Sequence, residues 1–371
     1  MRSLAQTYRR SGSQGLAFRR RRRVSWPRLV MMLSLGGALA CSSQRPSSPG
    51  QRLSPTEPLP TALSRDTKLA IGDPTVQKQL ELTGAIAELP FTADWHNIAG
   101  GPNTLEAFRG AALDGGSVGD TPPVHAGFTG LEVKIIAVQV RTRPTYRLAI
   151  APGSHIAKLA DLRGKRIAYS PGQAQGALML RVLKKLGLKT TDVSLVELNS
   201  SEFKDALSSR QVDVAPLFGA PLRRYLNEHG KAGAAALEHG VRDNLSFFYV
   251  RGAVLEDANR AAALRAYVKV RTQAQLWSFH HRERWIAEYY VKDQSLSPED
   301  ARAVVEESGE PQYPDDWSEA IALTQETIDL IAAAGGQPRY DAAKLFDRRF
   351  EHLAAEAAAT YTSAAAATRA P

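Results

Sequence analysis

Between residues 67 and 353 the chain alternates short β-rich apolar runs with stretches in which apolar positions recur every three or four residues. The first period marks strands and the second amphipathic helices. On that reading 67–71, 91–95 and 133–140 are strands, and 75–88 and 102–113 are helices. The glycine-rich run 116–119 follows them, with a short helix from Pro122. A second set opens with a strand over 165–169. It continues with a helix over 173–186, whose Met179, Val182, Leu183 and Leu186 share one face before Gly187 ends it in left-handed backbone. Strands over 193–198 and 212–217 follow, with a helix near 202–208 between them. From Asp257 the pattern is almost wholly helical. There Trp317, Ile321, Thr324, Ile328 and Ile331 form one apolar face, closed by Gly335, Gly336 and Pro338, which predicts docking onto a sheet made earlier in the chain.

Strand–helix alternation predicts an α/β fold of parallel sheets with helices on both faces, and two such sets predict two lobes. The chain would cross between them near 141–147 and near 244–251. Pro144 restricts the first segment to extended backbone, and Phe247-Phe248-Tyr249-Val250 favours it in the second. Two extended hinges beside a cleft permit closure around a ligand.

Composition narrows the function classes. The 371 residues are 43% hydrophobic and 23% charged, enough for about two ordinary domains and incompatible with disorder throughout, collagen or a polytopic membrane protein. The net charge of +9 is local. Nine of the 47 basic residues, all arginine, lie in 1–40, which holds no acid; from Cys41 onward 38 basic residues face 38 acidic ones. A neutral body with no basic stripe excludes nucleic acid as a partner.

Arg19 to Arg23 and Arg28, then the twelve-residue run Leu29 to Ala40, then Cys41 after Ala38-Leu39-Ala40, resemble a lipoprotein signal peptide. Twelve residues at about 1.5 Å each are too short to span a hydrocarbon layer of about 30 Å. The expectation is an exported protein at the periplasm or cell surface, tethered to a membrane through lipidated Cys41, by a general or a twin-arginine route. With one cysteine in the chain, no internal disulfide can form. Segment 42–65, with Pro46, Pro49, Pro55, Pro58 and Pro60, reads as an extended tether, and 354–371 as a fraying Ala-rich helix and tail. The expected domains are a signal peptide 1–40, tether 41–66, first lobe 67–143 and 251–353, second lobe 144–250 and tail 354–371.

Three helix beginnings could surround the cleft, each presenting backbone N–H groups and a positive dipole end suited to an anion. They are Gly101-Pro102, Thr121-Pro122-Pro123 with the Ser117 hydroxyl nearby, and Ser170-Pro171-Gly172-Gln173-Ala174 from the opposite lobe. Plain capping of three helices is the structural alternative. Arg143 or Arg141, at the first crossing, would supply a guanidinium, a solvated surface arginine being the alternative. Asp120 would repel an anion, so it is expected to cap a helix or pair with Arg141 or Arg143.

Gly115-Gly116-Ser117-Val118-Gly119 also matches the nucleophile elbow of α/β hydrolases. That motif needs a strand before Ser and a helix directly after it, whereas here the strand contains Ser117. His280-His281, about 100° apart on a helix, cannot face one metal ion.

The stretches from Ile98 to Ala107, Gly119-Asp120-Thr121-Pro122-Pro123, from Leu159 to Ala168, and Thr327-Ile328-Asp329-Leu330 occur in an order that resembles the substrate-binding proteins of ABC importers, in the aliphatic sulfonate, taurine and nitrate branch. The resemblance covers roughly 68–350. It implies a bilobed type II periplasmic-binding-protein (Venus-flytrap) fold with two crossover segments, no catalysis, no cofactor, and a monomer serving a permease and an ATPase. It adds Thr75, Val118 and Gly119 to the candidate contacts, with Phe218 as an aromatic wall for an alkyl tail. The implied ligand is an aliphatic sulfonate, with nitrate, taurine or a thiamine-precursor pyrimidine as alternatives. A bilobed sensor or scaffold for a partner protein is a further one.

Overall fold

The computed structural model describes residues 50–98 and 100–369; the leader and Cys41 lie outside them. The described residues form eleven strands: β1 Lys68–Gly72, β2 Thr92–Trp95, β3 Gly115–Gly119, β4 Val133–Arg141, β5 Arg147–Ile150, β6 Arg166–Tyr169, β7 Ser194–Glu197, β8 Val214–Leu217, β9 Ala235–Leu237, β10 Leu245–Arg251 and β11 Pro311–Gln312. They build two sheets, one ordered β11-β4-β10-β3-β1-β2 and the other β7-β6-β8-β5-β9. Each sheet anchors one lobe of an α/β fold.

The helices are α1 Pro74–Thr83, α2 Gly101–Arg109, α3 Pro122–Phe128, α4 Ala174–Lys185, α5 Phe203–Ser208, α6 Gly219–His229, α7 Ala258–His280, α8 Arg282–Trp285, α9 Pro298–Ser308, α10 Ser318–Gly335 and α11 Leu353–Arg369. A π-helical stretch, Ile286–Asp293, follows α8.

Both sheets are mixed rather than parallel. β1 pairs parallel with β2 and β3, and β6 with β7 and β8. However, β10 runs antiparallel to β3 and β4, and β5 runs antiparallel to β8 and β9. The strands that enter a sheet straight from a crossing arrive without a helical return, so nothing imposes the parallel direction on them. The chain leaves the first sheet after β4 and enters the second at β5. It returns between β9 and β10, over 238–244. The run Phe247 to Val250, expected as the second hinge, is therefore an interior strand of the first sheet. Phe247, Phe248, Tyr249 and Val250 are all buried, because a strand covered on both faces reads as a continuous apolar run.

Trp317, the N-cap residue of α10, and Ile328 within it join the first core, and Thr324 on the same face is buried, as the apolar face requires. The ends of the body are less free than composition implied. Leu53 is buried, its N–H donates to the Glu256 carbonyl, and Ser64 N–H donates to Asn259, so the described part of the expected tether lies on the body. The Ala-rich α11 buries Leu353, Ala354 and Ala357, and Lys269 of α7 pairs with Glu356 at 3.0 Å. Alanine suffices to bury a helix face where two helices approach closely. No helix among the described residues is long and apolar enough to cross a membrane.

Candidate functional site

Strands β1 and β3 of the first sheet and β6 and β8 of the second each run directly into a helix start: α1, α3, α4 and α6. Carboxyl ends of strands are where open α/β sheets present ligand sites, since backbone N–H groups are left unpaired there. A cavity of about 270 Å³ lies where the α1 and α6 starts face each other between the lobes. Thr75 opens α1. Phe218 is the N-cap residue of α6 and is 44% exposed, the one exposed large hydrophobic side chain among the described residues. The first crossing adds Arg141, Pro144, Thr145 and Arg147, and Tyr289, Tyr290 and Glu307 close the other side.

The charges around this cavity are unequal. Glu307 is neutralised by Arg223, and Arg147 lies 3.4 Å from Glu238. No ion pair involves Arg141 among the described residues; its guanidinium donates to the Ser308 carbonyl at 3.4 Å, a long bond. Burial, then the neighbouring Tyr289, push the Tyr290 hydroxyl up to about 12 against the opposing effect of Arg141, so it stays a neutral donor. An uncompensated guanidinium between two positive helix ends favours an anion.

The three helix beginnings expected to converge do meet, and they meet in contact. A Cβ on Gly101 would stand 2.6 Å from Pro122 Cγ and 3.2 Å from the Gly172 carbonyl oxygen. One on Gly119 would stand 2.8 Å from Ala174 Cβ, and one on Gly172 would strike the His125 ring at 2.8 Å. The two lobes touch here through glycine backbone, and the three beginnings do not line the cavity, whose expected contacts are Thr75 and Phe218, with Arg141 of the arginine pair. Gly172 also has φ +73°, which side-chain-bearing residues rarely adopt.

The polar side chains near that contact are engaged. The Ser117 hydroxyl donates to Asp73 at 2.6 Å and accepts from Arg271 at 2.9 Å. Thr121, fully buried, donates to Asp120 at 2.9 Å. Ser170 and Gln173 are buried, and the Ser170 carbonyl accepts from Gln173 N–H. Val118 is buried in β3. Arg143 is exposed, donates to the Glu306 carbonyl at 2.7 Å and does not line the cavity; Arg141, the other half of that pair, does. Strand alternation puts 141 and 143 on one side, but β4 ends at Arg141, so alternation stops there. Ser117 sits inside β3 with a carboxylate and a guanidinium as partners, not the base of a nucleophile elbow. His281 stacks on Trp277 and His280 on Tyr361, and no cluster of metal-ligating side chains occurs among the described residues.

Two buried networks escaped the sequence. Asp73, at the α1 N-cap position, accepts from Arg271 at 3.3 Å, from Tyr267 at 3.3 Å and from Ser117. Arg271 also lies 5.4 Å from the Phe248 ring centroid. A signal existed: Leu264, Tyr267, Val268 and Arg271 share one helix face, and a charge on an apolar face requires a buried partner. The second network carries no such signal. Asp120 pairs with Arg181 of α4 at 2.5 Å, not with Arg141 or Arg143, and Arg181 also donates to Thr327 of α10 at 2.6 Å. One guanidinium from the second lobe thereby grips two elements of the first.

Two sheets in two lobes, two crossing segments and a cavity between the lobes define the bilobed periplasmic-binding-protein fold. Residues 120–224 match the family described as NMT1/THI5 like. A protein of Escherichia coli (strain K12) whose name assigns it aliphatic sulfonates is 26% identical over 242 residues, 64% of this chain and 73% of its own length. The alkanesulfonate-binding protein SsuA from Xanthomonas axonopodis pv. citri, solved bound to MOPS, superposes with TM-score 0.67 at 22% identity, over 76% of this chain and 99% of that one. The periplasmic aliphatic sulphonate binding protein SsuA from Escherichia coli superposes with TM-score 0.64, also at 22% identity, over 75% and 91%. The chain thus has the fold of these proteins, as its motifs implied, and is similar in sequence to a protein named for aliphatic sulfonates; by their names these relatives are binding proteins rather than enzymes.

Proposed function

We propose that this chain captures a small organic anion of the sulfonate class in its interlobe cleft and delivers it to an ABC permease. The observation that carries this is Arg141, without an ion-pair partner among the described residues, facing a cavity where the α1 and α6 starts meet from opposite lobes. The names of its relatives support the head group. We further propose that the protein is exported and held at a membrane by lipidated Cys41, and that it acts as a monomer; the basic leader, apolar run and lone cysteine support the anchor.

A thermal-shift screen of ethanesulfonate, taurine, sulfate, nitrate and a thiamine-precursor pyrimidine tests the ligand class. A sulfonate at a hundredfold excess over its dissociation constant should stabilise the protein by about 2.7 kcal/mol. A shift with the neutral pyrimidine and none with any anion would overturn the reading. Fractionation of cells expressing Cys41→Ser tests the anchor, which predicts release from membranes.

A further inference from the structure

Resting on that reading, we infer that the preferred ligand is an aryl sulfonate bearing a hydrogen-bond donor on its ring, rather than an alkanesulfonate. Phe218, from the second lobe, is the exposed large hydrophobic side chain, and Tyr289 and Tyr290 line the same cavity from the π-helical stretch. Neither aromatic wall is loose. Tyr146 packs against the Phe218 ring at 5.1 Å and 76°, and Trp285 stacks on Tyr289 at 4.3 Å and 9°. Rigid rings held on both sides of one cavity recognise a flat ring by stacking or edge contacts that a flexible alkyl chain cannot reproduce. At about 270 Å³ the cavity is just below the range of sites for drug-sized ligands, which suits one ring and its head group.

The donor is indicated separately. A smaller cavity, of about 100 Å³, shares Thr75, Arg141, Tyr290 and Ser308 with the first. Gln79 lines it, one turn beyond Thr75 on the same face of α1, and is 5% exposed. Its Nε2 donates to Ser278 at 2.8 Å, while its Oε1 is buried without a partner. Buried acceptors are nearly always satisfied, so this one fits a ligand amino or hydroxyl group.

Calorimetric titration of the folded protein with benzenesulfonate, hexanesulfonate and 4-aminobenzenesulfonate tests the inference. Benzenesulfonate should bind at least tenfold tighter than hexanesulfonate, and 4-aminobenzenesulfonate tighter again. Phe218→Leu should bring the ratio of benzenesulfonate to hexanesulfonate affinity to about one, and Gln79→Leu should erase the ratio between the two aryl ligands. Equal or tighter binding of hexanesulfonate by the unmutated protein would overturn the aryl preference and leave the sulfonate reading intact. Equal affinity for the two aryl ligands would overturn the donor. Failure of all three to bind, with nitrate or sulfate binding instead, would overturn the sulfonate reading and this inference with it.

Discussion

Asp73 and Arg271 are both almost fully buried, and each is the other's charged partner. Removing one member of such a pair strands the other in a medium of low dielectric, which typically costs about 3–5 kcal/mol. Arg271→Met should therefore lower stability by that order in denaturant titration, and Arg271→Met with Asp73→Asn should recover much of it. His125 supplies a pH dependence. Burial first, then the nearby Arg109, hold its imidazole below the usual 6.5. A histidine with a lower pKa when folded takes up protons on unfolding. Its contribution is thus fully present above about 6.5 and is lost as pH falls through the folded value. Melting temperature should drop between pH 7.5 and 5.0 by more in the parent than in His125→Gln. An equal drop in both would assign the loss to other groups.

At the level of strands and helices, periodicity read most of the elements but misjudged their ends and their pairing. The expected helix 75–88 is α1, broken at Gly84 with φ +79°, followed by a separate turn. The Ala-rich end looked like a fraying tail because alanine carries no apolar stripe, yet α11 docks on α7. Glycines where strands and helices of the two lobes meet matter here for close approach. Gly119→Ala would place a Cβ 2.8 Å from Ala174 Cβ and wedge the lobe contact. Overpacking of this kind costs typically 1–3 kcal/mol. The expected outcome is that loss in chemical denaturation, together with weaker ligand binding. Adding Ala174→Gly should restore both, which a purely local defect in β3 would not do.

Across the two lobes, Arg181 does what no hinge residue does: from α4 it holds Asp120 and Thr327 at once. Asp120 is 5% exposed, so loss of its partner leaves a buried carboxylate. Arg181→Met should open the protein, raising the radius of gyration in small-angle scattering and lowering stability by about 3–5 kcal/mol. An unchanged radius, with lower stability, would show that the remaining contacts, such as Arg223 with Glu307, hold the lobes alone.

The chain's own residue order determined that there would be two α/β lobes, where helices begin and that the body is neutral. Those features depend on local periodicity, on cap and turn chemistry and on charge, all of which act between near neighbours. Only the folded structure decided that β5 and β10 run antiparallel and that Arg141 rather than Arg143 meets the cavity. It alone paired Asp120 with Arg181, 61 positions away, and brought Phe218 to the same chamber as Tyr289. A long charged side chain can reach any partner that packing brings within a few ångströms. Packing is decided by the whole core at once, so spacing along the chain carries no record of it.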